Sequence, residues 1–170
     1  MRIFLIGFMG SGKSSIGREL ANKLGMHFID LDEFIECKTQ KKITDIFDED
    51  GEEKFRRIEH ECLEEVSLKE NSLISTGGGT PCYHNNMELI NKSGISIYIK
   101  LNSGILTSRL FLDKGKRPLI KRFGDKKELL LFIENILAER EPFYLKSTFV
   151  IDGKNINTKK IIEILDGAKK

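Results

Sequence analysis

Along this chain, short unbroken apolar runs alternate with stretches whose apolar residues recur every three or four positions. The first run, Ile3-Phe4-Leu5-Ile6, predicts a strand buried on both faces, because no polar residue interrupts it. Beyond a glycine-rich bend, Ile16, Leu20 and Leu24 fall at helical spacing, and Gly25 is a natural stop. Residues 26–32 return to a strand pattern. Strand, helix and strand with no hairpin signal predict a parallel pair joined by a right-handed crossover. Further strands are predicted at 72–76, 95–101 and 148–152. Helices are predicted at 33–37, from Thr44 as N-cap through Ile46 and Phe47, and at 52–69, 83–91, 106–112, 129–144 and 158–165. Gly51 separates the helix at Thr44 from the longer one after it, whose inner face carries Phe55, Ile58, Cys62, Leu63 and Val66. The helix at 129–144 is expected to turn Leu130, Ile133, Ile136 and Leu137 inward. Strands alternating with helices define an α/β fold around a parallel sheet. There is no repeat, low-complexity tract or linker, so residues 1–170 are read as a single domain.

The bend after the first strand carries the chemistry. Gly7-Phe8-Met9-Gly10-Ser11-Gly12-Lys13-Ser14 places Gly-x4-Gly-Lys-Ser between a strand and a helix, the context that makes this spacing a phosphate-binding loop. Its glycines let successive backbone N–H groups converge on one hollow, and the next helix adds its positive end. Gly10, Ser11, Gly12, Lys13, Ser14 and Ser15 are therefore expected around the phosphates of a nucleoside triphosphate. Lys13 should reach the β- and γ-phosphates, and the Ser14 hydroxyl should ligate Mg²⁺.

Ligands of such sheets lie beyond the carboxyl ends of the strands. Asp30 and Asp32 fall there if the second strand runs to 32, with both carboxylates on one side and Leu31 on the other. The third strand runs into Thr76-Gly77-Gly78-Gly79 and lacks the metal-binding Asp common at that point, which leaves Asp30 for the metal's outer shell. Three successive glycines suit backbone that approaches a ligand closely. Arg56 and Arg57 are adjacent on a helix, point about 100° apart and cannot share one role. The basic loop at 113–119, with Arg117, is of the kind that folds over phosphates and delivers an arginine.

Composition narrows the class. Lys+Arg of 28 against Asp+Glu of 26 gives a net charge of +2, not the clustered basic surface that nucleic acid requires. Cys37, Cys62 and Cys82 are odd in number and lack metal-ligand spacing, which suits reduced thiols in a cytoplasmic protein. The apolar start is too short and too soon broken by glycines and Lys13 for a signal peptide, and no stretch predicts a membrane span.

Several motifs in order along essentially the whole chain resemble the shikimate kinase family. They are the phosphate loop continuing as Ser15-x-Gly17-x-x-Leu20-Ala21, then Asp30-x-Asp32, then Gly51-Glu52-x-x-Phe55-Arg56-x-x-Glu59. Gly77-Gly78-Gly79, Arg117-Pro118-Leu119 and Arg140-x-x-x-Tyr144 complete the series. The phosphate loop is shared by many nucleotide-binding proteins; the order of the others is specific. The resemblance implies a P-loop fold like that of the nucleoside monophosphate kinases: a five-stranded parallel sheet, order 2-3-1-4-5, flanked by helices. A substrate lobe is expected at about 32–60 and a lid at about 112–124. The implied reaction moves the γ-phosphoryl of MgATP to the 3-hydroxyl of shikimate, in aromatic amino-acid biosynthesis, by a monomer.

Carried over by position, Asp32 resembles the aspartate that binds shikimate hydroxyls and takes or orients the proton. Arg56 and Arg140 resemble the carboxylate-gripping pair, with a backbone contact from Gly78 within Gly77-Gly78-Gly79. Phe47 and Phe55 resemble the apolar pocket wall. Asp30 corresponds to the aspartate near Mg²⁺, Arg117 to the lid arginine, and Arg109 to the arginine stacked on adenine. Forked guanidinium donors suit a carboxylate substrate. One departure concerns adenine: the loop Asp152-Gly153-Lys154-Asn155-Ile156-Asn157 lacks the proline that often meets the base in this family. A gluconate or nucleoside monophosphate kinase of the same fold, or a nucleotide-dependent switch without an acceptor, are the competing readings.

Overall fold

The computed structural model describes residues 1–113, 120 and 122–167. In it the first apolar run is the strand β1, Arg2–Ile6, with Ile3 to Ile6 fully buried. The other strands are β2 (His27–Asp30), β3 (Ser72–Ser75), β4 (Ile95–Lys100) and β5 (Phe149–Asp152). All pair in parallel in the order β2-β3-β1-β4-β5, so the apolar β1 sits in the middle. This is the sheet order that the motif resemblance implied.

Seven helices are described: α1 (Lys13–Leu24), α2 (Leu31–Thr39), α3 (Ile43–Ser67), α4 (Asn86–Ser93), α5 (Ser103–Leu112), α6 (Lys126–Tyr144) and α7 (Thr158–Gly167). The strand's period of two assigns its residues to two cores. Ile3 and Leu5 pack with Leu20 and Ala21 of α1 and with Ile161 and Leu165 of α7. Phe4 and Ile6 pack with Leu31 and Ile35 of α2 and with Cys62, Leu63 and Val66 of α3. Each of the larger of these side chains contributes about 1.5–3 kcal/mol by leaving water. α1 rests directly on the sheet at Gly17, where a Cβ would lie 2.7 Å from Phe28 and 3.0 Å from Leu5. That contact fixes the height of the helix, and so of the loop that feeds it. A third core joins Phe8, Leu106 and Leu110 to Ile120, Phe123, Leu129 and Ile133.

Four local expectations change. β2 ends at Asp30, because the Asp30 carboxylate accepts from the Asp32 N–H at 3.1 Å and starts α2. Asp32 is thus in a first helical turn, not on a strand, and the alternation expected for Asp30 and Asp32 does not apply. Thr44 is no N-cap: α3 begins at Ile43, whose N–H is satisfied at 3.0 Å by the Glu36 carboxylate. The helix expected at 83–91 runs Asn86–Ser93 instead, after a tight turn at Thr80–Cys82. On α6 the inward stripe is Leu129, Ile133, Ile136 and Leu137, spaced i, i+4, i+7 and i+8, and Leu130 falls to its side. Gly51 does interrupt α3, at φ 82° and ψ 170°, as its sequence position predicted.

Candidate active site

The loop between β1 and α1 takes its shape from Gly10 at φ 77° and Gly12 at φ 95°, values that L side chains rarely adopt. A Cβ on Gly10 would also lie 2.9 Å from Leu110. The curled loop borders a cavity of about 480 Å³ lined by Gly10, Gly12, Lys13, Ser14 and Ser15, with Arg109 of α5 beside them. Lys13 is nearly buried, and its Nζ donates to the carbonyls of Gly7 at 2.8 Å and Phe8 at 3.0 Å. Arg109 Nη1 donates to the loop carbonyls of Ser11 at 3.3 Å and Gly10 at 3.4 Å. The Ser11 side chain is turned under the loop and buried, so its backbone rather than its hydroxyl is placed to serve a phosphate.

The Ser14 hydroxyl donates to Asp30 Oδ2 at 2.6 Å and lies 3.3 Å from the Ser75 hydroxyl. Hydroxyl and carboxylate oxygens suit a hard cation. Among the described residues no group of three or more His, Cys, Asp or Glu could hold a metal. A magnesium ion that keeps waters and takes phosphate oxygens needs only one hydroxyl and an outer carboxylate, and Ser14 with Asp30 fits that demand.

Asp32, Met9, Gly77 and Gly78 border this cavity and also a second one, of about 720 Å³. Asp32 therefore stands at the junction. Protein surrounds its carboxyl on most sides, and that burial, reinforced by the charges of Asp30 and Glu59, raises its pKa from 3.8 to about 6. Water still reaches the side chain through the open cavity, which moderates the penalty on its charge.

The second cavity is lined by Phe47, Phe55, Arg56, Gly79 and Arg140, among others. Phe47 and Phe55 stack with ring centroids 4.5 Å apart. Arg56 is buried and heavily restrained. Its Nη1 donates to Glu59 Oε2 at 2.8 Å, while Nε and Nη2 donate to Glu52 Oε1 at 3.2 and 3.1 Å. Its guanidinium lies 4.1 Å from the centre of the Tyr83 ring. The guanidinium also lies against Gly79, where a Cβ would come within 2.6 Å of Nη2, so any larger residue there would push the guanidinium from its place. Glu59, 1% exposed, takes a second bond from the Thr80 hydroxyl at 2.6 Å, so its buried charge is paired and hydrogen-bonded. Arg57, the neighbour of Arg56, points to solvent, as a 100° turn requires. Arg140 reaches the cavity from α6, whose start is fixed by Asp125 accepting from the N–H groups of Lys127 and Glu128 at 2.7 and 2.8 Å. One turn on, the Tyr144 hydroxyl donates to the Gly78 carbonyl.

A family model described as shikimate kinase matches residues 9–166. The chain belongs to the shikimate kinase family. A curated shikimate kinase of Azobacteroides pseudotrichonymphae is 52% identical over 165 residues, covering 96% of both chains. The crystal structure of shikimate kinase from Bacteroides thetaiotaomicron superposes with a TM-score of 0.93 at 36% identity, covering 98% of each chain. That of Acinetobacter baumannii shikimate kinase in complex with shikimate gives 0.87 at 32% identity, covering 99% of this chain and 94% of that one. The chain is thus a phosphotransferase of a family that uses ATP.

The geometry brings every site residue expected from sequence to one of the two cavities, except Ser11, whose side chain turns away, and Arg117, which lies outside the described residues together with most of the expected lid. Sequence reasoning passed over Met9, an unspecified position inside the phosphate loop that borders both cavities. It also passed over Glu59, which stood in the motif quoted but without a role. Phe132 of α6, which lines the second cavity, had no sequence signal beyond lying within a helix.

Proposed function

We propose that this enzyme transfers the γ-phosphoryl group of ATP to the 3-hydroxyl of shikimate. The observation that carries the proposal is Asp32 at the junction of a phosphate-loop cavity and a second cavity holding two arginines. Phosphoryl transfer asks mainly for positioning and charge neutralisation. The loop amides of 10–15 hold the β- and γ-phosphates, and Lys13 turns from its carbonyl partners to the γ-phosphate. Ser14, with Asp30 behind it, would hold Mg²⁺, which when bound supplies charge neutralisation at the phosphates. Arg56 and Arg140 take the acceptor carboxylate, Gly78 adds a backbone contact, and Phe47 with Phe55 covers the apolar part of the ring. Asp32 then faces the acceptor hydroxyl, which it aligns for in-line attack or deprotonates as the bond forms. Arg109 serves the adenine end, and Arg117 neutralises charge that develops during transfer.

We further assign the protein to the cytoplasm as a monomer. All three cysteines are free thiols, and one chain contributes both cavities. No described helix is long and apolar enough to cross a membrane. The deciding experiment measures ADP release with ATP and Mg²⁺ against shikimate, gluconate and nucleoside monophosphates. Turnover should be fastest with shikimate; a faster rate with gluconate or a nucleotide would overturn the assignment.

A further inference from the structure

Arginines and a carboxylate orient an acceptor, but they do not distinguish a ring from an open chain. Gluconate presents a carboxylate and hydroxyls much as shikimate does, and the charged groups of the second cavity would accept either. The apolar walls have to make that distinction. Among the described residues two such walls are present, and they belong to different cores: Phe47 and Phe55 to the α2–α3 core, Met9 and Phe132 to the core between α5 and α6.

Phe132 is held in place behind its ring. The Phe123 ring lies 4.8 Å away, centroid to centroid, tilted by 41°. The Arg122 guanidinium sits 5.0 Å from the centre of Phe132 and 4.8 Å from that of Phe123, so one cation braces both rings. Phe123 is itself nearly buried, in the core that contains Leu110, the residue beneath Gly10 of the phosphate loop.

We infer that Phe132 is a specificity-determining residue for the acceptor, a fixed aromatic wall for a compact carbon ring, with Arg122 and Phe123 as the residues that position it. The inference rests on the reading of the second cavity as the shikimate site. A six-membered ring has an apolar edge to set against phenyl carbon. An extended polyol would strand hydroxyls there without partners, and a buried polar group left unpaired is what makes discrimination large.

The test begins with calorimetric titration of shikimate into the parent protein. Absence of binding would overturn the proposed function itself, before Phe132 enters. With binding established, Phe132→Ala should raise the Kd for shikimate about tenfold, within the range for losing apolar pocket contact. It should narrow the ratio of gluconate to shikimate Kd by a similar factor and leave the KM for ATP within about twofold. Phe132→Leu should recover part of the loss. Arg122→Ala should shift shikimate Kd in the same direction by less, and Arg122→Ala/Phe132→Ala should be no weaker than Phe132→Ala alone, since the arginine acts through the ring. The chain has no tryptophan, so Phe132→Trp supplies a single indole whose emission should change with shikimate and saturate at its Kd. Unchanged shikimate affinity in Phe132→Ala, an equal rise for ATP and shikimate, or an indole blind to shikimate would each overturn the inference.

Discussion

The cavities proposed for donor and acceptor share Met9, Asp32, Gly77 and Gly78, yet they are built in opposite ways. The donor side is made largely of contiguous backbone, residues 7–15, shaped by glycines at positive φ and seated by one helix on one strand. The acceptor side is made of side chains from distant parts of the chain: Asp32 on α2, Phe47, Phe55 and Arg56 on α3, and Phe132 and Arg140 on α6. A cradle of backbone amides depends only on local geometry, so its spacing identifies it wherever it occurs. A clamp of side chains depends on how separate elements pack, and no short spacing encodes that. Substitutions on the donor side should therefore depress transfer to any acceptor, and those on the acceptor side should weaken acceptor binding while leaving ATP binding little changed.

The largest effect is expected from Lys13→Ala. If Lys13 serves the γ-phosphate as proposed, removing its charge should lower kcat by at least about 10³-fold. The loss should be the same for every acceptor that turns over. Lys13 also ties the loop through two carbonyls, so thermal unfolding should be followed in parallel. A near-normal rate with an intact fold would remove the loop lysine from catalysis.

Asp32→Asn tests the boundary itself and should lower kcat by about 10²–10⁴-fold. With a pKa of about 6, the parent should lose activity about tenfold per pH unit below 6, and this acid limb should vanish in the variant if Asp32 is the base. Stability carries an independent sign. The folded pKa is raised above 3.8, so the fold binds an extra proton between the two values, and parent stability falls as pH rises from about 4 to about 6. Asp32→Asn should thus be more stable than the parent above pH 6, and the difference should shrink to nothing below about pH 4. A Tm difference independent of pH would contradict the raised pKa.

Arg56→Ala and Arg140→Ala should each weaken shikimate binding by about 2–5 kcal/mol while ATP binding changes little, measured as Kd by calorimetry. The two variants are not equivalent. Arg56 neutralises the buried Glu59, so its loss leaves a buried carboxylate that, among the described residues, keeps the Thr80 bond, and should also lower Tm. Arg140→Ala is the cleaner probe, and unchanged shikimate affinity in it would break the carboxylate clamp.

The same asymmetry explains what the sequence made legible. β1, the phosphate loop, the break at Gly51 and the α/β order were readable because each is set by local period or by a glycine the backbone needs. The end of β2 was not, because a carboxylate that caps a helix and one at a strand tip look alike in sequence; Asp30 caps α2 and bonds Ser14 as well. The clamp residues were legible only through motif order, since Arg56 alone is indistinguishable from a solvated helix arginine. Phe132 was not legible at all: its placement depends on how α6 meets Phe123 and the loop residue Met9, a long-range packing fact.

The smallest expected effect concerns the segment the two cavities share. Tyr144 is fully buried, and its hydroxyl donates to the Gly78 carbonyl while its ring packs 5.1 Å from that of Tyr98. Tyr144→Phe keeps the ring and deletes a hydroxyl that donates to the Gly78 carbonyl and also accepts from the Arg140 side chain; losing the bond to Gly78 costs about 1 kcal/mol. For a chain of this size that should lower Tm by about 2–4 °C. The kinetic consequence decides which side the glycine segment serves. If Gly78 holds the acceptor, the KM for shikimate should rise about twofold to fivefold, as expected for a slightly displaced contact, with the KM for ATP unchanged. A drop in Tm with both KM values intact would make the bond purely structural. A rise in both would mean that 77–79 positions donor and acceptor together, and the boundary between the two constructions would then lie at Arg56 rather than at the glycines.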